Sequence, residues 1–499
     1  MKKITRRNFF TTSLFSAATI GWTARSWAQV AGANERINIA TVGFNGRGGA
    51  HIGGFRALAP EGVRYVALCD VDQKVLDKGV DSFKRHNEDV KAFKDIRKLL
   101  EMKGLDAVSI ATPNHWHALG AIWAIQAGKD VYVEKPVSNC VWEGRKIVEA
   151  ARKYNRIVQT GTQGRSSTAI KQAVEFAHSG ALGKIKLVRG LCYKRRDTIG
   201  KHDGPQTVPD HIDYNLWSGP APLRPSNRNG KFGPVHYDWH WFWDYGCGDL
   251  GNQGIHQMDI SRWFLGVDHL SPRVFSVGGR VGYKDDAETP NTQIVYHDYP
   301  EIPLIFEVRG LPAKPAGIGP DGKKEKERMD EYKGHKNASI AVIAECEGGD
   351  VVATSNYKAS QVYDKSGQLI KEFKGETDHF DNFIQAMKSR NYKDLHADIW
   401  EGHLSSALCH TGNISYRVGK QAAPGEIRET LKGSKLAMEA FDRMNSHLKA
   451  NAVDINSEKL TLGVFLEMDP KVERFFGNKA ANKLLRREYR QPFVVPDQV

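Results

Sequence analysis

Cysteine is scarce in this chain, and its spacing does not indicate a metal or redox site. Six occur in 499 residues, and no two have the C-x-x-C spacing of such sites. They are Cys69, Cys140, Cys192, Cys247, Cys346 and Cys409. Several lie within apolar runs, which favours small buried thiols. A disulfide stays an open alternative, because the sequence does not determine a pairing.

Long apolar runs and nucleic-acid motifs are also absent. Beyond the first 28 residues no stretch is apolar enough to cross a membrane, and we find no internal repeat or DNA- or RNA-binding motif. The net charge is +13, and five basic residues within the first 25 positions account for part of it. Without them the net charge is about +8, so no nucleic-acid partner is expected.

The first 28 residues have the pattern of an export signal. Basic residues, including Arg6-Arg7, precede an apolar run over 9–22, and Ser26-Trp27-Ala28 is similar to a small-x-small cleavage site. The paired arginines resemble the signal of the twin-arginine pathway, which exports folded proteins. We therefore expect a cleaved signal over 1–28 and a periplasmic protein without a permanent membrane anchor. An uncleaved anchor and a merely basic N-terminus are the alternatives.

From residue 36 the pattern becomes that of an α/β domain. Short, nearly continuous apolar runs alternate with stretches of helical spacing, such as 117–128, which ends at a glycine. The runs are 36–43, 63–70, 107–113, 130–136 and 156–163. Apolar strands alternating with helices predict a doubly wound parallel sheet, a Rossmann domain over 36–160.

The turn after the first run is the expected cofactor site, because ligands of such sheets bind at the carboxyl ends of the strands. It reads Gly43-Phe44-Asn45-Gly46-Arg47-Gly48, close to the G-x-G-x-x-G dinucleotide fingerprint. Asn45 replaces the second glycine, and asparagine tolerates a positive φ better than other side chains. We expect cofactor contacts from Gly43, Asn45, Gly46, Arg47 and Gly48.

Asp70 ends the second run, 22 residues after Gly48. A carboxylate at this position accepts hydrogen bonds from the adenosine ribose and repels a 2′-phosphate. The sequence therefore predicts NAD rather than NADP as the cofactor. The alternative for Asp70 is a residue that only starts a turn.

Several motifs in this order resemble the glucose-fructose oxidoreductase, inositol dehydrogenase and MocA family. They are GFNGRG (43–48), CDVD (69–72), ATPNHWH (111–117), EKP (134–136) and GDLGNQGIHQMD (248–259). The resemblance extends to the end of the chain, where 401–419 and 484–496 look like exported bacterial members. It implies further cofactor contacts from Thr112, Asn114, His117 and Glu134.

The resemblance also implies the catalytic residues. Lys135 of the E-K-P motif matches the lysine beside the nicotinamide, and His256 matches the usual acid/base of a D-x-x-x-H element. Asn252 stands where that element has its aspartate, and an amide cannot shuttle a proton. Asp249 is a candidate substitute, and helical spacing would place Asn252 and His256 on one face.

Five further residues are candidate substrate contacts. They are Gln163, Arg195, Trp239, Trp241 and Asp259. The two tryptophans belong to the aromatic run 236–246, whose rings could stack on sugars, although such runs are most often core. Asp259 has a structural alternative. No metal site is predicted, since the alternating His236, Asp238 and His240 lack a fourth ligand.

Longer, partly alternating strands after residue 161 predict a mostly antiparallel sheet with one exposed face. The family's second domain is such an open sheet, used for substrate binding and often for subunit contacts. The resemblance thus implies an α+β substrate domain over 161–424 and a homo-oligomer. A helical extension is expected over 425–499.

Together these features predict an exported oxidoreductase that uses NAD on a hydroxyl of a carbohydrate or cyclic polyol. Outside the cytoplasm no NADH-recycling pool is expected, so we expect tightly held NAD that is recycled in place. One alternative is an NAD-assisted elimination or hydrolysis of a glycoside. Others are a non-catalytic sugar-binding protein with this fold, which Asn45 and Asn252 favour, and an NAD-free hydrolase using Asp249 or Asp244.

Overall fold

A computed structural model describes residues 36–226, 235–313, 328–335 and 337–499. The predicted export signal over 1–28 lies outside these residues. Two sheets organise the described chain, one of six strands and one of twelve.

The first sheet is entirely parallel and confirms the Rossmann prediction. Its strands are β1 Ile37–Val42, β2 Val63–Cys69, β3 Lys91–Phe93, β4 Ala107–Ile110, β5 Asp130–Val133 and β6 Val158–Thr160. They are ordered β3-β2-β1-β4-β5-β6, so the strand order reverses between β1 and β4. The central strands β4 and β5 are buried throughout, as expected for a sheet covered on both faces.

Helices cover both faces of this sheet. They are α1 Arg47–Ala57, α2 Gln73–Lys84, α3 Ile96–Leu100, α4 Asn114–Gln126 and α5 Val141–Lys153. Asp72 and Asp95 cap the N-termini of α2 and α3 with their carboxylates. The helix α4 is buried along nearly its whole length and contributes Leu119, Ile122 and Ile125 to the core.

The second sheet is mostly antiparallel, as predicted, and only β7 and β10 pair in parallel among the described strands. Its strands are β7 Ile185–Tyr193, β8 Arg273–Gly279, β9 Thr292–His297, β10 Leu304–Arg309, β11 Ile340–Cys346, β12 Gly349–Thr354, β13 Ala359–Asp364, β14 Leu369–Lys374, β15 Lys420–Ala422, β16 Leu460–Leu462, β17 Leu466–Asp469 and β18 Arg474–Phe475. The apolar stretch 291–310 forms the two antiparallel strands β9 and β10.

The remaining helices pack on both faces of this second sheet or return to the first domain. They are α6 Thr168–His178, α7 Tyr214–Ser218, α8 Gly248–Asn252, α9 Gly254–Leu265, α10 His379–Ser389, α11 Ile399–Arg417, α12 Pro424–Leu431, α13 Lys435–Ala450 and α14 Lys479–Leu484. Side chains of β7 alternate between the faces: Val188 and Cys192 join the core under α9, whereas Leu187 joins the core under α13.

The expected exposed face of the second sheet is largely covered. Phe441 and Met444 of α13 pack on Phe275 of β8 and Ile305 of β10 in one apolar core. The segment after Pro424, expected as a helical extension, therefore packs over this face of the sheet. It also contains strands, because β16 and β17 pair with β8.

After residue 160, α10 and the C-terminal residues are among the segments that return to the Rossmann domain. Phe383 and Ile384 of α10 pack in one core with Phe55 of α1. Near the C-terminus, Phe493 and Val495 join the core beneath α4. These contacts tie the two domains together.

Two further structural findings concern membrane-spanning helices and the cysteines. Across the four described ranges no helix combines the length and apolar character that crossing a membrane requires. All six cysteines are free thiols, and five of them are buried.

Candidate active site

A cleft lies at the carboxyl-terminal edge of the Rossmann sheet, where the strand order reverses between β1 and β4. One wall consists of residues that follow the strands, and the other belongs to the chain between β7 and α8. The predicted site residues on its walls are Gly43, Asn45, Gly46, Arg47, Asp70, Thr112, Asn114, His117, Glu134, Lys135, Trp239 and Asn252. This is the position at which doubly wound sheets bind their ligands.

The turn between β1 and α1 requires glycine at two positions. Gly43 has a φ of +76°, and a Cβ there would lie 2.9 Å from the backbone of Thr112. A Cβ on Gly48 would lie 2.1 Å from the carbonyl oxygen of Gly43. The left-handed conformation thus falls on Gly43 and not on Asn45, whose tolerance of it is not needed.

Asp70 connects the end of β2 to this turn. Its Oδ2 accepts a hydrogen bond of 2.9 Å from the backbone N–H of Phe44, and its Oδ1 accepts one of 3.0 Å from Asp72. Burial raises the pKa of Asp70, and these two bonds act in the opposite direction. Each oxygen keeps a second lone pair, so the carboxylate both shapes the turn and can accept a ligand hydroxyl.

His117 joins the loops that follow β4 and β5. Its ring nitrogens lie 2.7 Å from the carbonyl oxygen of Thr112 and 2.6 Å from that of Pro136. Burial lowers the pKa of His117. Asn114 begins α4 beside it and is almost fully buried. Both residues therefore hold the cleft wall in shape as well as lining it.

Glu134, at the end of β5, is a buried carboxylate with several donors. It accepts hydrogen bonds from Arg47 Nε at 2.7 Å and from the backbone N–H of Lys135 at 3.1 Å, and its Oε1 lies 3.1 Å from His51 Nε2. Gln163 Nε2 lies 3.4 Å from the same oxygen. Burial alone would raise the pKa of Glu134, but the bond from His51 and the Arg47 charge hold it well below its usual range.

Lys135 extends from this point toward the second domain. Its Nζ donates a 2.9 Å hydrogen bond to the backbone carbonyl of Asn252, and the peptide bond to Pro136 is cis. Desolvation lowers the pKa of Lys135, against the attraction of Glu134. An ammonium whose pKa is lowered in this way can donate a hydrogen bond or transfer a proton.

Asn252 and His256 lie on two successive helices and not on one, because α8 ends at Asn252 and α9 begins at Gly254. The Nδ1 atom of His256 is buried and has no hydrogen-bond partner among the described residues. Burial, followed by the charge of Lys135, lowers the pKa of His256 to about 3. The imidazole is therefore neutral near pH 7, and its low pKa makes it a weak base.

Tyr357 was not identified from the sequence, and it lies beside His256. The two ring centroids are 5.7 Å apart, and the tyrosine hydroxyl is within hydrogen-bonding reach of Gln253 and Gln257. Tyr357 has a φ of +57°, which is unusual for an aromatic residue and indicates local backbone strain. No sequence motif marks the position, because the strain arises from the turn between β12 and β13.

The opposite wall of the cleft is a segment that we call the cover, residues 205–226 and 235–246. Asp72 anchors it, because the Asp72 carboxylate lies 2.9 Å from a ring nitrogen of His211 and 2.9 Å from one of His236. The indole N–H of Trp116 donates to the carbonyl of Leu216 at 2.9 Å. The cover is thus attached to the Rossmann domain at both the β2 and the β4 ends.

Several predicted residues have other partners. Both oxygens of Asp249 are held by Arg196, at 2.6 and 2.7 Å, so Asp249 is not available to replace a catalytic carboxylate. Asp259 is buried and paired with Arg165 at 2.9 Å, which fits its structural alternative. Arg195 is exposed and pairs with Asp197.

The aromatic run divides between core and cleft. Trp239 lines the cleft and stacks on His240 with ring centroids 3.6 Å apart. Trp241 is buried, with the Arg196 guanidinium 5.1 Å from its ring centroid. Asp238 and His240 lie in a 3₁₀ helix and not in a strand, and no cluster of three or more potential metal ligands occurs in the described part of the chain.

The cleft fits a dinucleotide. The Gly43 turn leads into the N-terminus of α1, whose backbone N–H groups favour a pyrophosphate, and Asp70 stands where ribose hydroxyls bind. The hydroxyl of Thr112 is buried without a partner among the described residues, which leaves a donor or acceptor for a ligand.

Two family models match this chain. The oxidoreductase family with an NAD-binding Rossmann fold matches residues 37–162, and the C-terminal alpha/beta domain of the same oxidoreductase family matches 166–327. The two matches together span more than half of the 499 residues. Their boundary falls between β6 and α6.

Curated relatives match over part of their length. A glycosyl hydrolase family 109 protein of Shewanella baltica is 33% identical over 266 residues, 47% of this chain and 54% of the relative. An alpha-N-acetylgalactosaminidase of Shewanella oneidensis is 34% identical over 212 residues, 40% of this chain and 42% of the relative. The chain therefore spans only about half the length of these relatives.

Solved structures share the fold. The WlbA dehydrogenase of Bordetella pertussis, in complex with NADH and UDP-GlcNAcA, has a TM-score of 0.52 and 18% identity, covering 75% of this chain and 94% of that one. A levoglucosan dehydrogenase in complex with NADH and levoglucosan has a TM-score of 0.53 and 16% identity, covering 75% and 95%. Identities this low show a common fold and no more.

Replacing Gly48 by Ala is expected to weaken NAD binding at least about tenfold, since the new Cβ would displace the turn at Gly43. Gly53→Ala is the matched control, because a Cβ there meets nothing within 4 Å in the same helix. Calorimetric titration of each variant with NAD, after any bound NAD has been removed, measures the effect. Equal affinities for the two variants would contradict the assigned turn.

Proposed function

Because this chain belongs to the oxidoreductase family with an NAD-binding Rossmann domain, we propose that it oxidises a hydroxyl of a carbohydrate or cyclic polyol. The observation that carries the proposal is Lys135, which lines the cleft, bonds the Asn252 carbonyl, and is near enough to His256 for its charge to lower the pKa of that imidazole. NAD, when bound, accepts the hydride from the carbon that bears the hydroxyl. The protein must therefore hold this hydroxyl and remove its proton.

His256 and Lys135 have different roles toward the substrate hydroxyl. Nδ1 of His256 has no partner among the described residues, and the neutral imidazole is a weak base, so it takes the hydroxyl proton only as loss of the hydride makes that hydroxyl strongly acidic. The Lys135 ammonium donates to the same oxygen and stabilises the negative charge that develops there. Asn252 binds the lysine through its backbone carbonyl, so the missing family aspartate does not leave Lys135 without a partner.

We propose that NAD stays bound between turnovers. The cover lies opposite the strand ends and is attached to the Rossmann domain at Asp72 and Trp116, which supports retention of a dinucleotide between them. A retained cofactor must be reduced and reoxidised in place, which suits an internal redox exchange between two substrates.

A second candidate function is an oxidation-assisted elimination or hydrolysis of a glycoside. The glycosyl hydrolase family 109 relatives, 33% identical over the matched region, favour it. Oxidation of a ring hydroxyl acidifies the adjacent C–H, and loss of that proton expels the aglycone and leaves a double bond. Addition of water to this bond, followed by return of the hydride to the carbonyl, would restore the sugar. Analysis of products by mass spectrometry separates the two, because only this route releases an aglycone without net oxidation.

We also propose an exported, periplasmic protein that forms a homo-oligomer. The twin-arginine pattern supports export, and the edge strand β14, with Leu369 and Ile370 about half exposed, supports subunit contact. Because α12 and α13 cover much of the sheet face, the contact would use this edge. Native mass spectrometry of periplasmic protein should find a multiple of the chain mass less residues 1–28. A monomer, or an uncleaved chain in the cytoplasm, would contradict these proposals.

Lys135→Ala should lower kcat by about 10²-fold or more, because it removes the ammonium that lines the cleft and bonds the Asn252 carbonyl across it. NAD content and folding should stay unchanged, since the lysine ammonium does not contact the glycine turn. Turnover is measured by reduction of bound NAD and by sugar product. Lys84→Ala, an exposed lysine on α2, is the control.

The pH profile of kcat/KM gives a second readout of the same pair. The acid limb should fall near the pKa of His256, at about 3, and not near 6.5. The alkaline limb should lie below the usual lysine pKa, because burial lowers that of Lys135. Full activity in Lys135→Ala would overturn the assignment.

A further inference from the structure

Lys135, which lines the cleft, and Lys194, which lies beside the junction of α8 and α9, are bonded only to neutral groups. Lys135 Nζ donates to the Asn252 carbonyl at 2.9 Å, and Lys194 Nζ donates to Gln253 Oε1 at 2.9 Å. Within the described ranges neither ammonium forms a salt bridge with a carboxylate. Their acceptors are adjacent in sequence, so the two positive charges converge on the junction of α8 and α9.

The other charges around this junction cancel in pairs. Arg196 is neutralised by Asp249 at 2.6 Å, and Arg47 by Glu134 at 2.7 Å. His256 is neutral because burial and the charge of Lys135 lower its pKa to about 3. The two lysines therefore leave the substrate side of the site with an uncompensated positive charge.

Lys194 is held in this position by the backbone. It directly follows β7, and its N–H donates to the Arg309 carbonyl at 3.0 Å. In the run 194–196 the side chains alternate: Arg195 points to Asp197 and solvent, whereas Lys194 and Arg196 face α8 and α9. Burial, followed by the charge of Arg196, lowers the pKa of Lys194, and the attraction of Asp249, which is bonded to Arg196, acts against this shift.

We propose that Lys194, together with Lys135, binds an anionic group of the substrate, so that the enzyme prefers a carbohydrate carrying a carboxylate or phosphate ester. This inference rests on the proposed function, since it assumes that the substrate reacts beside Lys135. A partly buried cation without a counter-ion is unfavourable, and a bound oxyanion removes that cost. Gln253 would orient Lys194 and Trp239 would cover the sugar ring.

The test uses the full-length protein loaded with NAD and three probes: glucuronate, glucose 6-phosphate and glucose. Isothermal titration calorimetry at low ionic strength should show that at least one anionic probe binds about tenfold or more tightly than glucose. Glucuronate and glucose 6-phosphate distinguish a carboxylate from a phosphate ester. The preference should shrink as salt is added.

The variants assign the preference to one residue. Lys194→Gln should reduce the preference for the anion about tenfold, and Lys194→Arg, which keeps the charge, should retain it. Lys186→Gln is the control, because Lys186 is an exposed lysine of β7 paired with Glu347. NAD content and thermal stability of each variant confirm that it is folded.

Equal binding of glucose and the anions, no binding of any probe, or an unchanged preference in Lys194→Gln would overturn the subsite. Absorbance of reduced NAD, recorded on the same samples, separates this result from failure of the proposed function. Anion preference without NAD reduction would support the subsite and contradict oxidation. Oxidation of glucose without anion preference would support the proposed oxidation and contradict the subsite.

Discussion

The buried carboxylate of Glu134 is the contact on which the cleft depends. It joins the end of β5 to α1 through Arg47 and His51, and its own backbone continues into Lys135. Gly161 leaves room for it, since a Cβ there would lie 2.7 Å from Oε1. A buried charge is stable only with such donors, so the first helix and the loops after β5 and β6 keep a fixed geometry around Lys135.

The second domain forms the rest of the cleft through contacts with the Rossmann domain. The cover binds Asp72 and Trp116 of the Rossmann domain, and α9 brings His256 toward Lys135. In the other direction, α10 and the C-terminal residues around Phe493 pack in Rossmann cores. Because residues of the second domain complete the Rossmann cores, the two walls of the cleft are held against each other.

Patterns within a few residues of the sequence predicted the features that local contacts determine, namely the parallel strands and the glycine turn. Apolar runs identified the parallel strands, and the glycines at 43 and 48 follow from a turn that has no room for a Cβ. Long-range pairing escaped prediction: Arg196, 53 residues from Asp249, removes that carboxylate from the chemistry, and Tyr357 reaches His256 through a strained turn. The cover and the strands after Pro424 also lacked a local signal, because their partners lie far away in sequence.

We propose that the folded protein carries NAD and retains it between turnovers. The most direct measurement is to purify the mature protein without added cofactor, denature it, and assay the supernatant for NAD and NADP by mass spectrometry. We expect the supernatant to contain nearly one NAD per chain and little NADP, since Asp70 stands where a 2′-phosphate would lie. A protein that is empty and also fails to take up added NAD would contradict it.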